Sequence, residues 1–388
     1  MTHVHKAITS EKDSAAAGRL LGEDMRRAFD GAAPDAIVVF ASAEHDYPQM
    51  LAELCEASGC SVVVGSSSAG EFTNEASGEG RVSAMALRSD DMRFSVGVGR
   101  EISVYPAGAA AQVVRGFQGL ADSPMPYRSA LVMTDALAGH TDALVEELTL
   151  ATGGNYRFFG GGAGDDGRFQ KTHVFAGREA VTNAVVALEI LSAKPVGVGV
   201  SHGWEPAPEG LRVTESRGMT IVSLNGLPAV EAFTDYAQTT GQRFDPDQPM
   251  SFFLHNVLGI RSTEGYRLRV PLAVNEDGSV GCAAPVPEGA IVHFMKTTEQ
   301  SAVTAARNAT HAALRALDGN KPGAALVFDC VATRLRMGRA FDDELRACAN
   351  LLGPNGFVGC NTYGQIARAE GQFGGFHNCT AVVCVLPD

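Results

Sequence analysis

The sequence lacks the spacings and segments that are typical of zinc, haem-attachment and membrane proteins. None of its eight cysteines forms a Cys-x-x-Cys pair, so the close clusters that hold structural zinc or attach haem covalently are missing. No stretch approaches the roughly 20 consecutive apolar residues that cross a bilayer. The N-terminus has no apolar core followed by a cleavage site, so we expect no signal peptide. Together these absences predict a cytoplasmic protein whose thiols stay reduced.

Positive charge is also scarce. Lys and Arg number 31 against 44 Asp and Glu, which gives a net charge of −13. Because such an acidic surface repels phosphate backbones, nucleic acid is not an expected partner, and without a spanning segment neither is a membrane. The 388 residues, 45% of them hydrophobic, can bury a core for two domains without a disulfide or a metal.

What the sequence does contain is a unit of helix, strand, helix and strand that occurs three times. Helical patterns open the three copies at residues 15–29, 109–120 and 301–317. Short apolar strands follow at residues 36–40, 130–133 and 324–328. In each copy a second helix leads to a second strand, and strands joined through a helix should be parallel with a right-handed crossover.

Hairpin-like segments at residues 82–98 and 173–190 follow the first two copies. We therefore predict an α/β fold of mixed sheets, with three helix-strand-helix-strand repeats and β-hairpin insertions, arranged as two domains. Residues 196–294 are mostly short strands, with one helix. The predicted divisions are an N-terminal helix over residues 1–33 and domains over residues 34–223 and 224–388.

Each copy ends in a turn of small residues, beyond the carboxyl end of a strand, where open α/β sheets bind ligands. Glycine lets backbone N–H groups approach a ligand, and hydroxyls, amides and carboxylates supply donors and acceptors. An alternative is that these turns only reverse the chain between packed strands. The candidate ligand-binding residues are Ser66, Ser67, Gly70, Glu71, Gly161, Gly162, Asp165, Asp166, Asn361, Thr362, Tyr363 and Gln365.

Familiar catalytic patterns are incomplete. The glycine run at residues 160–167 is followed by a strand pattern rather than by the helix of a dinucleotide-binding loop. Ser67 lies in a partial nucleophile elbow that has Ala where the last Gly belongs, and an ordinary turn serine is the alternative. Cys330 ends a strand and could be a thiolate, but with no His near it in sequence we expect a buried structural cysteine.

Two histidines are candidates for binding. His377 and Asn378 lie in the aromatic and glycine-rich segment 371–378 before the last strand, and His202 lies beside the single Trp204. Either histidine could contact a ligand or ligate haem iron. The alternative is a hydrogen-bonded structural histidine.

Five segments in order resemble motifs of the FIST family. Residues 65–71 are similar to its Gly-Cys-Ser-Thr-Ala-Gly-Glu turn, and residues 160–165 to its Gly-Gly-x-Ala-Gly-Asp segment. Residues 197–204 are similar to the family's Gly-Val-Gly-x-Ser-His-Gly-Trp segment. Residues 362–366 are similar to its Thr-Tyr-Gly-Glu-Ile turn, and residues 376–380 to its Phe-His-Asn-x-Thr segment. Two positions differ from these family motifs. Ser66 stands where the family often has Cys, and Gln365 stands where it often has Glu.

The resemblance implies a stand-alone sensory protein, with FIST N-terminal and C-terminal domains and no enzymatic activity. It would bind a small ligand, amino-acid-like or another metabolite, in a pocket between the repeats and signal to a separate partner. The first alternative is a haem-binding nitric-oxide sensor that regulates a histidine kinase, with haem b held by His377 or His202. The second is a hydrolase-like enzyme that uses Ser67.

Overall fold

The computed structural model describes residues 2–121, 123–262, 265–368 and 375–388, which form three repeated units. The first unit consists of β1 (Thr2–Thr9), α1 (Ser14–Ala28), β2 (Ala36–Ala41), α2 (Tyr47–Ser58), β3 (Val63–Ser67), β4 (Glu71–Thr73), β5 (Ser77–Gly78) and β6 (Val82–Ser89). The second consists of β7 (Met92–Arg100), α3 (Pro106–Arg115), β8 (Tyr127–Thr134), α4 (Thr141–Ala151), β9 (Arg157–Gly162), β10 (Val174–Ala176), β11 (Glu179–Val181) and β12 (Ala184–Ser192).

The third unit is interrupted after its first strand, β13 (Gly197–Ser201), by an inserted module. The inserted module consists of β14 (Glu205–Arg217), β15 (Thr220–Leu224), β16 (Leu227–Pro228), α5 (Ala229–Thr240), α6 (Met250–Phe253), β17 (Val257–Ser262), β18 (Gly265–Arg269), β19 (Pro271–Val274), β20 (Val280–Cys282) and β21 (Ile291–Lys296). The unit then resumes with α7 (Glu299–Arg315), β22 (Pro322–Cys330), α8 (Val331–Met337), α9 (Phe341–Leu352), β23 (Phe357–Thr362), β24 (Gln365–Arg368), β25 (Phe376–His377) and β26 (Ala381–Pro387).

The three units exchange hairpins in a closed cycle. The strand orders of their sheets are β1-β6-β2-β3-β10-β11, β7-β12-β8-β9-β24-β25 and β13-β26-β22-β23-β4-β5. In each sheet the first four strands come from one unit and the last two from the next. The parallel pairs β2–β3, β8–β9 and β22–β23 confirm the predicted α/β repeats with mixed sheets.

Side-chain alternation along the strands divides the core into layers. In β2, Val38 and Phe40 point into a central cluster shared by all three sheets, whereas Ile37 and Val39 pack on α1 and α2. Phe40 meets Phe328 of the third unit edge to face, with ring centroids 5.7 Å apart. Because both faces of these strands are covered, they are apolar almost throughout, as buried parallel strands are.

The chain start is a strand, not part of the predicted N-terminal helix. β1 pairs antiparallel with β6, and the helix occupies only Ser14–Ala28. The prediction is wrong because β1 is an edge strand with polar side chains, which hide the alternation of a strand. Its His5 is held in place by a contact of 2.6 Å between Nε2 and Asp24 of α1.

The inserted module is an antiparallel sheet that packs on α5 and the short α6. Phe233 of α5 contacts Phe253 and Phe294, with ring centroids 5.3 and 4.9 Å away. The predicted boundary between residues 223 and 224 falls within β15 of this module. Within the described residues, no helix combines the length and apolarity that crossing a membrane requires.

Candidate functional site

The three small-residue turns meet at the centre of the molecule, at the carboxyl ends of β3, β9 and β23. Main-chain hydrogen bonds of 2.9 to 3.0 Å join them, from Ala69 N–H to the oxygen of Asn361, from Gly164 N–H to that of Ser67 and from Tyr363 N–H to that of Gly162. A Cβ atom at Gly162 would lie 2.6 Å from the oxygen of Tyr363, and one at Gly164 would lie 2.8 Å from the nitrogen of Ala69. The glycines are therefore required because the turns pack directly against one another.

Most predicted site residues in these turns are buried in that contact. The fully buried ones are Ser66, Ser67, Glu71, Thr362 and Gln365, and Asn361 is 1% exposed. Burial raises the pKa of Glu71 to about 8, against hydrogen bonds from the Ser68 hydroxyl and from Arg81 N–H at 3.0 Å. Glu71 is the first residue of the exchanged hairpin β4–β5 and directly follows Gly70, whose φ is +137°.

Strand pairing shows which residues are equivalent in the three units. Glu71 pairs with Cys360, Gln365 pairs with Gly161, and Val174 pairs with Ser66. Val174, rather than Asp165, is therefore the counterpart of Glu71 and Gln365. In the second unit an extra loop lies between the turn and Val174. The sequence pattern did not distinguish this loop from the turn itself.

The two aspartates of the second turn hold that loop. Asp165 accepts hydrogen bonds from the N–H groups of three loop residues at 2.7 to 2.9 Å and one from the Tyr363 hydroxyl. Asp166 accepts from Ser42 Oγ at 2.9 Å and from Ala43 N–H at 2.8 Å. Both carboxylate oxygens of Asp165 and Oδ2 of Asp166 are therefore engaged by the protein, whereas the buried Oδ1 of Asp166 has no hydrogen-bond partner among the described residues.

An apolar cleft lies between the repeated units and the inserted module. It has a volume of about 190 Å³ and adjoins a second cavity of about 670 Å³. Of the predicted site residues, Tyr363 and Asn378 line it; Glu71, Asp165, Asp166 and Gln365 do not. Five exposed large apolar side chains also line it, namely Leu137, Phe169, Met219, Met250 and Leu335. Large apolar side chains gathered around a concavity are typical of a binding site.

Polar groups are few in this cleft. Asn378 is 2% exposed, and its Oδ1 has no hydrogen-bond partner, although its Nδ2 donates to the oxygen of His377 at 3.3 Å. Both amide atoms of Asn361 also lack partners, but Asn361 does not line the cleft. Asp142, at the cleft wall, binds the buried guanidinium of Arg269 in the inserted module at 2.7 Å.

Neither candidate haem ligand faces this cleft. His377 stands in sequence between Phe376 and Asn378, which line the cleft, but it does not line the cleft itself, and its Nε2 lies 3.0 Å from the oxygen of Ala367. His202 uses both ring nitrogens, at 3.1 Å from the oxygen of Tyr266 and 3.3 Å from the nitrogen of Trp204. These positions do not fit a haem axial ligand, and the described part of the chain contains no cluster of three or more metal-ligating side chains.

Ser67 is placed as a turn serine. It accepts a hydrogen bond from His173 N–H at 2.9 Å and donates to the oxygen of the same residue at 3.3 Å. Its side chain has no exposed surface. A substrate therefore cannot reach this hydroxyl in the present conformation.

A further cavity of about 360 Å³ lies at the other end of the second sheet. Its wall includes Arg128, Arg157 and Arg368, near the start of the parallel strands β8 and β9. Open α/β sheets bind ligands at the opposite, carboxyl ends, where the apolar cleft lies. We therefore take the apolar cleft as the candidate functional site.

Comparisons with known proteins identify both halves of the chain. The FIST N domain matches residues 35–227, and the FIST C domain matches residues 229–368. An uncharacterized protein of Methanocaldococcus jannaschii is 27% identical over 165 residues, which are 40% of this chain and 31% of that relative. The chain thus covers about a third of that relative's length.

Among solved structures, the chain is similar to the cyanuric acid hydrolase from A. caulinodans. The similarity covers 100% of this chain and 99% of that one, at 9% identity and a TM-score of 0.35. A score this low says nothing about the chemistry of the present chain. The two domain matches, which follow one another along most of the sequence, show that the chain belongs to the FIST family, whose domains are sensor domains of signal-transduction proteins.

Proposed function

We propose that this protein is a cytoplasmic sensor that binds a small metabolite in the apolar cleft and passes the signal to a separate protein, such as a histidine kinase. The observation that carries the proposal is the buried Asn378 Oδ1, which lacks a partner in a cleft ringed by exposed apolar side chains. Such an oxygen favours a ligand with a hydrogen-bond donor on an apolar body. The eight unpaired cysteines support a reducing compartment.

The position of the cleft supports a way to transmit the signal. Its walls come from the second unit, the third unit and the inserted module, so a ligand touches all three at once. A ligand that binds more tightly when the inserted module closes on the units shifts the population toward that closed arrangement. The partner protein would then recognise the changed surface.

A matched pair of leucine variants tests the site. Leu335 lines the cleft and is 50% exposed, whereas Leu150 is 73% exposed on α4 and does not line it. The probe is the apolar dye 1-anilinonaphthalene-8-sulfonate, followed by its fluorescence. We expect Leu335→Asp to weaken dye binding by about tenfold, because it removes apolar contact and adds like charge. Leu150→Asp should bind as the unchanged protein does.

Equal binding by both variants and the unchanged protein would refute the cleft as the site. The natural ligand can be sought by native mass spectrometry of the full chain after gentle purification. A small molecule retained by the unchanged protein and by Leu150→Asp, but lost from Leu335→Asp, would be the candidate ligand.

A further inference from the structure

Three arginines line the cavity of about 360 Å³ at the amino ends of β8 and β9, which we call the arginine cavity. Arg128 comes from β8, Arg157 begins β9, and Arg368 ends β24, the strand that the third unit places in the second sheet. Strand pairing places Arg157 opposite Ser129, the neighbour of Arg128. The next strand pair places Arg368 opposite Phe158, the neighbour of Arg157. The fold therefore brings together three guanidinium groups that are far apart in sequence.

The lining of the arginine cavity is positively charged, although the protein as a whole is acidic. Lys and Arg number 31 against 44 Asp and Glu, which gives the chain a net charge of −13. Among the described residues, however, the lining includes three arginines and no Asp or Glu, and its other members are uncharged. Because the overall charge repels anions, a local cluster of guanidinium groups marks a place where an anion is favoured.

The guanidinium of Arg368 has a buried donor without an acceptor. Its Nη1 atom is shielded from solvent and forms no hydrogen bond with any described residue. Arg269, the most buried arginine of the described chain, is by contrast paired with Asp142 and donates to two main-chain oxygens. Burial of a cationic donor is costly unless an acceptor engages it. An oxygen of a bound anion would supply the acceptor that Arg368 lacks.

Main-chain contacts hold the other two guanidinium groups at the cavity wall. Arg128 Nε donates to the oxygen of Gly119 at 2.7 Å. Arg157 Nη1 donates to the oxygen of Val196, in the link between the second and third units, at 3.0 Å. Within the described residues, Arg128 is hydrogen-bonded only through Nε, so both of its terminal nitrogens can donate to a ligand. A guanidinium that is already fixed loses little further freedom when it binds.

We propose that the arginine cavity is a binding site for a small organic oxyanion that carries at least two negative charges, as a phosphorylated metabolite or a tricarboxylate does. Planar guanidinium groups present paired N–H donors that match the oxygens of phosphate and carboxylate groups. Three such groups around one cavity favour a ligand with more than one negative charge. Tyr127, which is 38% exposed and lines the same cavity, offers a hydroxyl donor in addition.

This inference does not depend on the metabolite sensor proposed above, because the arginine cavity and the apolar cleft share no lining residue. The two sites are connected by β24, which begins two residues after Tyr363 of the apolar cleft and ends at Arg368. An oxyanion held by Arg368 and Arg128 would tie this exchanged strand of the third unit to the second unit. The anion should therefore also raise the unfolding temperature of the protein as its concentration rises.

Calorimetric titration of the full-length protein with pyrophosphate and, separately, with citrate tests the proposal, in a buffer without other multivalent anions. We expect saturable binding of at least one of the two, with a dissociation constant below about 1 mM. The anion that binds more tightly identifies the ligand as a phosphate or a carboxylate compound. Arg368→Gln and Arg128→Gln should each weaken binding by about tenfold or more, because each removes a charge-assisted contact. Arg368→Lys, which keeps the charge but not the paired donors, should lie between Arg368→Gln and the unchanged protein.

Arg93→Gln is the matched control. Arg93 of β7 and Arg128 of β8 are both paired with Leu191 of β12, so they lie at the same end of one sheet, but Arg93 does not line the cavity. Its loss should change binding less than about twofold at moderate salt, because an exposed charge outside the site is screened. Equal weakening by Arg93→Gln and Arg368→Gln would show general charge attraction and overturn the proposal. Titrations in which the unchanged protein binds neither anion saturably would overturn it without any variant.

Discussion

At the scale of single residues, Glu71 is held where its neutral form is favoured. Burial raises its pKa from 4.5 to about 8. Between these values the folded protein keeps a proton that the unfolded chain releases. The resulting stabilisation is complete below pH 4.5 and is lost as the pH rises through about 8.

We expect Glu71→Gln to remove this loss, because Gln365 shows that a carboxamide fits the equivalent position of the third unit. Relative to the unchanged protein, the variant should gain about 2–4 kcal/mol of unfolding free energy between pH 5 and pH 8.5. Guanidinium unfolding at the two pH values measures the gain. Glu215→Gln, at a surface ion pair, is the control, and an equally large gain there would contradict the assignment to Glu71.

At the scale of elements, each parallel strand pair has a glycine where the two backbones approach most closely. These are Gly65, Gly160 and Gly359, where an added Cβ would lie 1.7 to 2.1 Å from a main-chain oxygen of the neighbouring strand. The repeat therefore depends on this position in all three units. This close approach of the two backbones explains why small residues recur where the strands lead into the turns.

Gly160→Ala should cost about 2–4 kcal/mol of unfolding free energy, because its φ of +137° and the contact with Val132 are both incompatible with a side chain. Gly218→Ala is the matched control, since its φ is +60° but nothing lies within 4 Å of the added atom. It should cost only about 1 kcal/mol. Equal losses in urea unfolding would contradict the close-approach explanation.

Local pattern was enough to predict the two main helices of each repeat and the parallel pairs, because both depend on residues close together in the chain, but it missed β1, α6 and α8. It could not reveal that β4, β10 and β24 pair in the sheet of another unit, since such pairing joins residues far apart in sequence. The counterpart of Glu71 in the second unit could not be identified from local pattern for a related reason. An extra loop shifts the second unit, and only the pairing of Val174 with Ser66 shows it.

At the scale of the whole molecule, the candidate site was predicted only in part. Tyr363 and Asn378 could be found because they lie in motifs of the third repeat. Leu137, Met219 and Leu335 could not, because they come from three different parts of the chain and meet only in the fold. Their signal was the exposure of large apolar side chains, which sequence alone does not report.

The ion pair between Arg269 and Asp142 joins the inserted module to the second unit. We expect Asp142→Ala to lower the unfolding free energy by about 2–4 kcal/mol, since it leaves the guanidinium of Arg269, 1% exposed, without its anion. Glu44→Ala, which removes an exposed pair of the same 2.7 Å length with Lys12, should cost less than about 1 kcal/mol. Thermal unfolding of both variants measures the difference, and similar losses would show that the buried pair is no stronger than the surface one.

The cyclic hairpin exchange also constrains how the protein is made. As the nascent chain leaves the ribosome, the β4–β5 hairpin has no sheet to join until β23 has been translated, and the outer edge of β9 stays open until β24 has been made. Most of the chain must therefore emerge with unpaired strand edges, which are sites of aggregation. Slow translation or a shortage of chaperones should lower the yield of this protein more than that of a protein whose sheets each close within one stretch of chain.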